Sequence, residues 1–234
     1  MTEQFARTEA IFGAENMNKL QKTKVLVFGI GGVGGYTVEA LCRSGIGTIG
    51  LVDNDTVAES NLNRQIIADK STIGMLKTDA AEQRIKRINP LCVTEKYNLF
   101  YMPDCNDIPF ESYDYVIDAI DTVTAKIDII KKCKDLNIPV ISSMGTGNKT
   151  DPSKLMIADI QKTSVCPLAR VMRHELKKRN IRNVKVVFST EDPVSTIIDS
   201  ERKERHIPGS FMPVPASAGL LIASQVIRDL LNLK

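Results

Sequence analysis

Lys24-Val25-Leu26-Val27-Phe28-Gly29-Ile30-Gly31-Gly32-Val33-Gly34 is the stretch that decides the fold. Its first five residues have the apolar, β-branched bias of a buried strand. The next six fit G-x-G-x-x-G and run straight into a helical pattern over residues 34–44. Glycines let the backbone turn tightly and approach a phosphate with no Cβ in the way, and a helix N-terminus adds N–H groups and a partial positive charge. Gly29, Gly31, Gly32 and Gly34 are therefore candidate nucleotide contacts. Thr48-Ile49-Gly50-Leu51-Val52 reads as a second strand ending on Asp53, a carboxylate placed to accept hydrogen bonds from ribose hydroxyls. The turn marks a nucleotide without saying which: a NAD-dependent dehydrogenase shows the same features.

Outward from this stretch, an amphipathic lead-in covers residues 5–20, and a helix is predicted over 72–88, stopped by Pro90. Strands are predicted over 93–99, 115–118 and 140–142, with a helix over 124–136. Alternating strands and helices predict an α/β fold, a Rossmann-like doubly wound, mostly parallel sheet. Beyond Gly147 follow a strand (155–159), a helix (167–179), a strand (185–189), a polar stretch (195–215) and helical periodicity (216–231). The second half is read as additional strands of the same sheet. The expectation is one domain over 1–234, with a nucleotide-binding half (1–150) and a substrate-side extension (151–234).

Composition narrows the function classes. A hydrophobic share of 43% and a charged share of 25% are ordinary for a soluble protein, and a net charge of +3 is too small to imply nucleic-acid binding by itself. Five cysteines, with no C-x-x-C pair, carry no metal-ligand spacing and suit a reducing compartment. The N-terminus, Met1-Thr2-Glu3-Gln4, lacks the features of a signal peptide, and no apolar run approaches the roughly 20 residues that span a bilayer. The expected location is cytoplasmic, with no membrane span.

Three further places separate triphosphate chemistry from hydride transfer: Ser60-Asn61-Leu62-Asn63-Arg64-Gln65, Lys77 at the start of a helix, and Asp121 at the end of the fourth strand. Splitting a triphosphate loads charge onto the departing pyrophosphate. Arg64 and Lys77 would offset it, with Asn61 and Asn63 as neutral donors. Asp121 would hold Mg²⁺, which prefers one or two carboxylates plus phosphate oxygens. The plain alternative makes Arg64 and Lys77 solvated charges and Asp121 a helix N-cap before Thr124.

Together, Gly29 to Gly34, Asp53-Asn54-Asp55, Ser60 to Gln65, Lys77 and Ala119-Ile120-Asp121 resemble the nucleotide site of the ubiquitin-activating-enzyme-like (ThiF/MoeB/HesA) adenylyltransferases. That resemblance implies ATP and Mg²⁺ as cofactors. It implies contacts to the nucleotide at Gly32, Asp53, Asp55, Ser60, Asn61, Asn63, Arg64, Lys77, Asp121 and Thr122. It also implies that Arg7 reaches the phosphates of a neighbouring subunit in a homodimer, so that Arg7, Arg64, Lys77 and Asp121 form the catalytic set. On the residues alone, Arg7 is equally a surface charge.

Within the superfamily, members that adenylate sulfur-carrier proteins usually carry two C-x-x-C pairs, which this chain lacks. Gln4-Phe5-Ala6-Arg7-Thr8-Glu9, Val116-Ile117-Asp118-Ala119-Ile120-Asp121, Thr146-Gly147-Asn148-Lys149-Thr150-Asp151-Pro152 and Phe188-Ser189-Thr190-Glu191 resemble instead the tRNA threonylcarbamoyladenosine dehydratases. The resemblance implies adenylation of a threonyl carboxylate beside the tRNA anticodon, then ring closure by the neighbouring carbamoyl oxygen with loss of AMP. The nucleophile lies in the substrate, so catalysis is positioning plus electrostatics. A sulfur-acceptor or desulfurase-type protein is a further expected partner. The alternative readings are an adenylyltransferase acting on the C-terminus of a sulfur-carrier or ubiquitin-like protein, and a non-catalytic dinucleotide-binding sensor.

An RNA partner directs attention to basic clusters: Arg170, Arg173, Lys177, Lys178 and Arg179 on one predicted helix, and Arg202, Lys203, Arg205 and His206 in the polar stretch. The bland meaning of such a run is a solvated helix face. Cys166, before Pro167, is read as a helix-entry packing residue in preference to a nucleophile, and His174 has no metal or triad partner in the pattern. Gly145-Thr146-Gly147 is a turn near the expected substrate position.

Overall fold

The structure, a computed structural model, describes residues 3–194 and 208–233. Among these residues, seven strands form one sheet: β1 (Lys24–Phe28), β2 (Thr48–Val52), β3 (Val93–Tyr97), β4 (Tyr115–Asp118), β5 (Val140–Ser143), β6 (Leu155–Asp159) and β7 (Lys185–Ser189). Their order is β3-β2-β1-β4-β5-β7-β6. All pairs are parallel except β6 with β7, which are antiparallel at one edge. The sheet is thus mostly parallel and extended by strands from the second half. β4 lies in the middle with β1 beside it, and their nearly continuous burial is what strands covered on both faces require.

Six helices of the described residues cover the sheet: α1 (Ala6–Lys22), α2 (Gly34–Arg43), α3 (Lys77–Ile88), α4 (Val123–Asp135), α5 (Pro167–Lys178) and α6 (Pro213–Leu230). They supply two apolar clusters. One holds Leu20, Leu41, Ile85 and Ile222 from α1, α2, α3 and α6. The other holds Ile129, Ile130, Met172 and Leu176 from α4 and α5. α6 lies unusually close to the start of α2: a Cβ on Gly219 would stand 2.4 Å from the Val33 carbonyl oxygen, so only glycine fits. Asp229 then ties α6 to the sheet, accepting from Tyr115 Oη at 2.7 Å and from Lys185 Nζ at 2.7 Å.

Two element boundaries and the place of one side chain differ from the sequence expectation. α3 starts at Lys77, five residues later than Thr72, because Asp69 Oδ1 accepts from the N–H groups of Ser71 and Thr72, and Gly74 takes a positive φ of 87°. β4 ends at Asp118, as expected from its apolar run, so Asp121 stands three residues beyond the strand and not on its end. In the polar stretch, residues 195–207 lie outside the described residues, and α6 already begins at Pro213. β1 and β4 are neighbours whose crossovers lead to opposite sides of the sheet order. In open α/β sheets such a switch point opens a crevice at the carboxyl ends of the strands.

Candidate functional site

That crevice holds a cavity of about 930 Å³, within the range of small-molecule sites. Its floor is the glycine turn. Gly29 has φ 84°, and its N–H donates to Val52 O at 2.8 Å, which joins the end of β1 to β2. A Cβ on Gly34 would lie 1.8 Å from the Gly29 carbonyl oxygen, so the first turn of α2 can sit this close to the strand end only with glycine there. Gly29, Gly31 and Gly32 line the cavity, whereas Gly34 is buried beneath them.

The charged wall comes from the ends of β2 and α3. Asp53 accepts from Ile30 N at 2.7 Å and from Asp55 N at 2.9 Å, which fixes its carboxylate beside the turn. An ionised carboxylate has further lone pairs, so ribose hydroxyls retain acceptors there. Lys77 is not a solvated charge: its side chain is 8% exposed, 2.6 Å from Asp55 and 4.0 Å from Asp53. It sits on the first residue of α3, where the helix adds its own N–H groups and partial positive charge. Arg64 is half-buried on the opposite lip, its guanidinium donating to Ser60 O at 2.9 Å and Asn63 Oδ1 at 2.8 Å. Asn61 is buried with its Oδ1 accepting from Ala58 N, so part of its amide is spent on a turn. Gln65 Oε1 is buried without a partner among the described residues, and its side chain lines the cavity.

Asp121 and Thr122 line the far side. Asp121 is exposed and makes no hydrogen bond or ion pair among the described residues. Thr122, not Asp121, is the N-cap residue of α4. From the end of the neighbouring strand β5, Gly145, Thr146 and Gly147 also line the cavity, as do Pro208, Gly209 and Ser210. The last three are held from two directions. Gly209 N donates to Asn148 Oδ1 at 2.6 Å, and Asn63 Nδ2 donates to Ser210 O at 3.2 Å.

Arg7 stands apart: it is exposed on α1 and does not line this cavity. The basic cluster of α5 is unequal. Arg173 donates to Thr163 O and, at 2.7 Å, to Thr163 Oγ1. Lys178 and Arg179 pair with Glu175 at 2.9 and 2.7 Å, and these partners, Arg179 first, hold the Glu175 carboxyl down to about 2. Arg170 and Lys177 are exposed and unpaired among the described residues. Arg202, Lys203, Arg205 and His206 lie outside the described residues. Cys166 is buried in the α4–α5 cluster, consistent with packing, and His174 is exposed. Among the described residues no group of three or more His, Cys, Asp or Glu side chains is arranged to hold a metal, and no helix is long and apolar enough to cross a membrane.

Sequence reasoning missed two parts of the site. Leu99, Phe100 and Tyr101 form a wall after β3, which the rule that parallel strands aim their carboxyl ends at the crevice would have found. Lys126, beneath the cavity, gave no signal, since a lysine early in a helix reads as solvated.

A Rossmann-type sheet, a glycine turn at its switch point and a cationic wall at the strand ends define an α/β nucleotide-binding protein. The chain belongs to the ThiF family, whose model matches residues 4–234. It is 43% identical to the tRNA threonylcarbamoyladenosine dehydratase of Bacillus subtilis, over 99% of this chain and 96% of that one. It is 36% identical to the enzyme of that name from Haemophilus influenzae, over 99% of this chain and 95% of that one. Among solved structures, it is similar to the Escherichia coli tRNA N6-threonylcarbamoyladenosine dehydratase in complex with ATP, with a TM-score of 0.88 and 33% identity over 98% of this chain and 94% of that one.

Proposed function

We propose that this protein is an ATP-dependent tRNA threonylcarbamoyladenosine dehydratase, which activates the threonyl carboxylate as an acyl-adenylate and closes it into a ring. One observation carries the reading: Arg64, Lys77, Asp121 and the Gly145–Gly147 loop converge on a single cavity above the glycine turn. In the first step a carboxylate oxygen attacks the α-phosphorus of ATP, and pyrophosphate leaves. Arg64 and Lys77 offset the charge that grows on the leaving group. Asp121 would hold Mg²⁺, since its carboxylate is uncommitted and lies at the cavity edge, and a single protein carboxylate is enough for an ion that also binds phosphate oxygens. Bound there, Mg²⁺ would neutralise more of the pyrophosphate charge.

In the second step the substrate's own carbamoyl group attacks the activated carbonyl and releases AMP. The departing AMP keeps one carboxylate oxygen and a proton goes to solvent, so the net change in the tRNA is loss of water. The protein's task in this step is to hold the two groups together away from bulk water.

Around this core the proposal includes a cytoplasmic homodimer in which Arg7 reaches the partner's phosphates, and a tRNA path along α5. The path is supported by the place of Leu168, which brings the start of α5 to the cavity, and by Arg170 and Lys177 sharing one exposed face seven residues apart. The lack of C-x-x-C pairs and the near full-length likeness to tRNA enzymes disfavour a sulfur-carrier substrate. Incubating the protein with Mg²⁺, ATP and tRNA bearing threonylcarbamoyladenosine should yield a nucleoside lighter by one water, seen by mass spectrometry. ATP turnover only with a small carrier protein would replace this reading with the alternative.

A further inference from the structure

Beneath the cavity lies a charged pair that neither chemical step uses. Lys126, in the first turns of α4, and Asp118, the last residue of β4, both have side chains that are 0% exposed. Lys126 Nζ is 2.9 Å from Asp118 Oδ2 and donates to the carbonyl oxygens of Ile120 at 3.0 Å and Ser143 at 2.8 Å. An ammonium has three hydrogens, and here each has an acceptor. Asp118 Oδ2 also receives the hydroxyl of Ser142 at 2.6 Å.

Stability alone does not account for these charges. Desolvating two ions is costly, and apolar residues of similar volume often serve a core as well or better. An apolar pair cannot grip carbonyl groups, however, and the two gripped here are specific ones. Ile120 adjoins Asp121, and Ser143 opens the segment leading to Gly145, Thr146 and Gly147; the two segments leave adjacent strands and both line the cavity. β4 and β5 pair with each other only as far as Asp118 with Ser142; beyond that point Ala119 N is held by Phe28 O and Met144 N by Val187 O, each on the other neighbouring strand, so no ladder bond ties the two segments to one another.

We propose that Lys126 is a positioning residue, whose buried ammonium sets the Asp121-bearing loop and the Gly145–Gly147 loop side by side at a fixed separation in the cavity wall. What those loops position rests on the adenylation reading; that Lys126 orders them does not.

Two variants separate this role from simple packing. Lys126→Met and Asp118→Asn break the same ion pair and each leaves one partner in place. In Asp118→Asn the Lys126 amine keeps at least two hydrogens, one for each carbonyl. In Lys126→Met both carbonyls lose their donor. At a temperature where both variants are folded, hydrogen–deuterium exchange at residues 119–122 and 143–147 should be at least tenfold faster in Lys126→Met than in Asp118→Asn. The kcat for AMP formation should fall at least tenfold further in Lys126→Met, with KM for ATP changing less.

Equal exchange in the two variants overturns the proposal. Where a single variant is unfolded, the double variant Asp118→Asn/Lys126→Met leaves no charge to bury. Wild-type loop exchange and wild-type kcat in that protein overturn it too. Exchange needs no substrate, so a wild-type protein that fails to form AMP would sink the functional reading while leaving the loop measurement decisive.

Discussion

Gly34→Ala and Gly31→Ala form a matched pair in which the same methyl meets two very different surroundings. At Gly34 the new Cβ would lie 1.8 Å from Gly29 O and 2.9 Å from Gly29 C. Approaches below 3.0 Å are essentially never seen, so the strand end and the first turn of α2 must part by about 1.2 Å. Both obstacles are backbone atoms, and no side chain can swing aside to relieve them. Overpacking of this kind costs about 1–3 kcal/mol, which for a chain of this size lowers Tm by roughly 2–12 °C. The displaced atoms are the floor of the nucleotide cavity, and a shift near 1 Å at a reacting site costs on the order of a hundredfold in rate.

At Gly31 the nearest atom to the new Cβ is Gln65 Nε2, 4.0 Å away, so the fold has room for it. Gly31 lines the cavity, and the methyl would occupy space that a phosphate needs. Gly31→Ala should therefore keep the wild-type Tm within about 1–2 °C, the shift expected from a substitution worth at most ~0.5 kcal/mol. It should nevertheless weaken ATP binding at least tenfold. Thermal unfolding followed by calorimetric titration with ATP measures both quantities on each protein. Wild-type ATP affinity in Gly31→Ala would refute the assignment of this turn to phosphate, and a wild-type Tm in Gly34→Ala would refute the packing argument.

Asp121→Asn should abolish Mg²⁺-dependent AMP formation, a loss of a hundredfold or more, while Tm stays unchanged, because the carboxylate makes no bond among the described residues; full activity would remove it from the metal site. Mixing Arg7→Ala with Lys77→Ala protein should restore part of the activity if sites are shared between subunits. No recovery after verified subunit exchange speaks against the shared site. Removing the charges of Arg170 and Lys177 together should lower the slope of log tRNA affinity against log salt by about 1.4–1.8, or roughly 0.7–0.9 for each phosphate no longer neutralised. ATP affinity should not change, and an unaltered salt slope would mean that this face of α5 is only solvated. Glu175→Gln should act in the opposite direction, strengthening tRNA binding near neutral pH by releasing Lys178 and Arg179. Its carboxyl is held down to about 2, so in the wild-type protein it stays ionised and keeps those two charges paired at any working pH.

Much of this protein was legible in one dimension because local chemistry fixes it. The stretch from Lys24 to Gly34 specifies strand, turn and helix through residue type and spacing alone, and the apolar runs of β2, β4, β5 and β7 declare strands buried on both faces. Arg64, Lys77 and Asp121, which all line the cavity, stood out in the sequence because triphosphate chemistry calls for cations and a carboxylate in the segments that follow the strands. The late start of α3 was missed because the Asp69 side chain, which redirects the backbone at Ser71 and Thr72, competes with a helical pattern that looks continuous.

Tertiary structure decided the questions that depend on what surrounds a charge. Sequence could not say that Lys77 is buried between Asp53 and Asp55 while Arg170 is exposed, since both are basic residues at helix starts. It could not separate the uncommitted charges of α5 from those held by Thr163 and Glu175, because the acceptors lie on a neighbouring loop and one turn away on the helix surface. Nor could it show that Pro208, Gly209 and Ser210 return to the cavity between Asn148 and Asn63, about 60 and 147 residues away along the chain. Least of all did it mark Lys126. Residue type and spacing determine where the backbone turns and which faces are apolar, but the protonated amine's role depends on three acceptors that only the folded sheet brings together, in a place where no water can substitute for them.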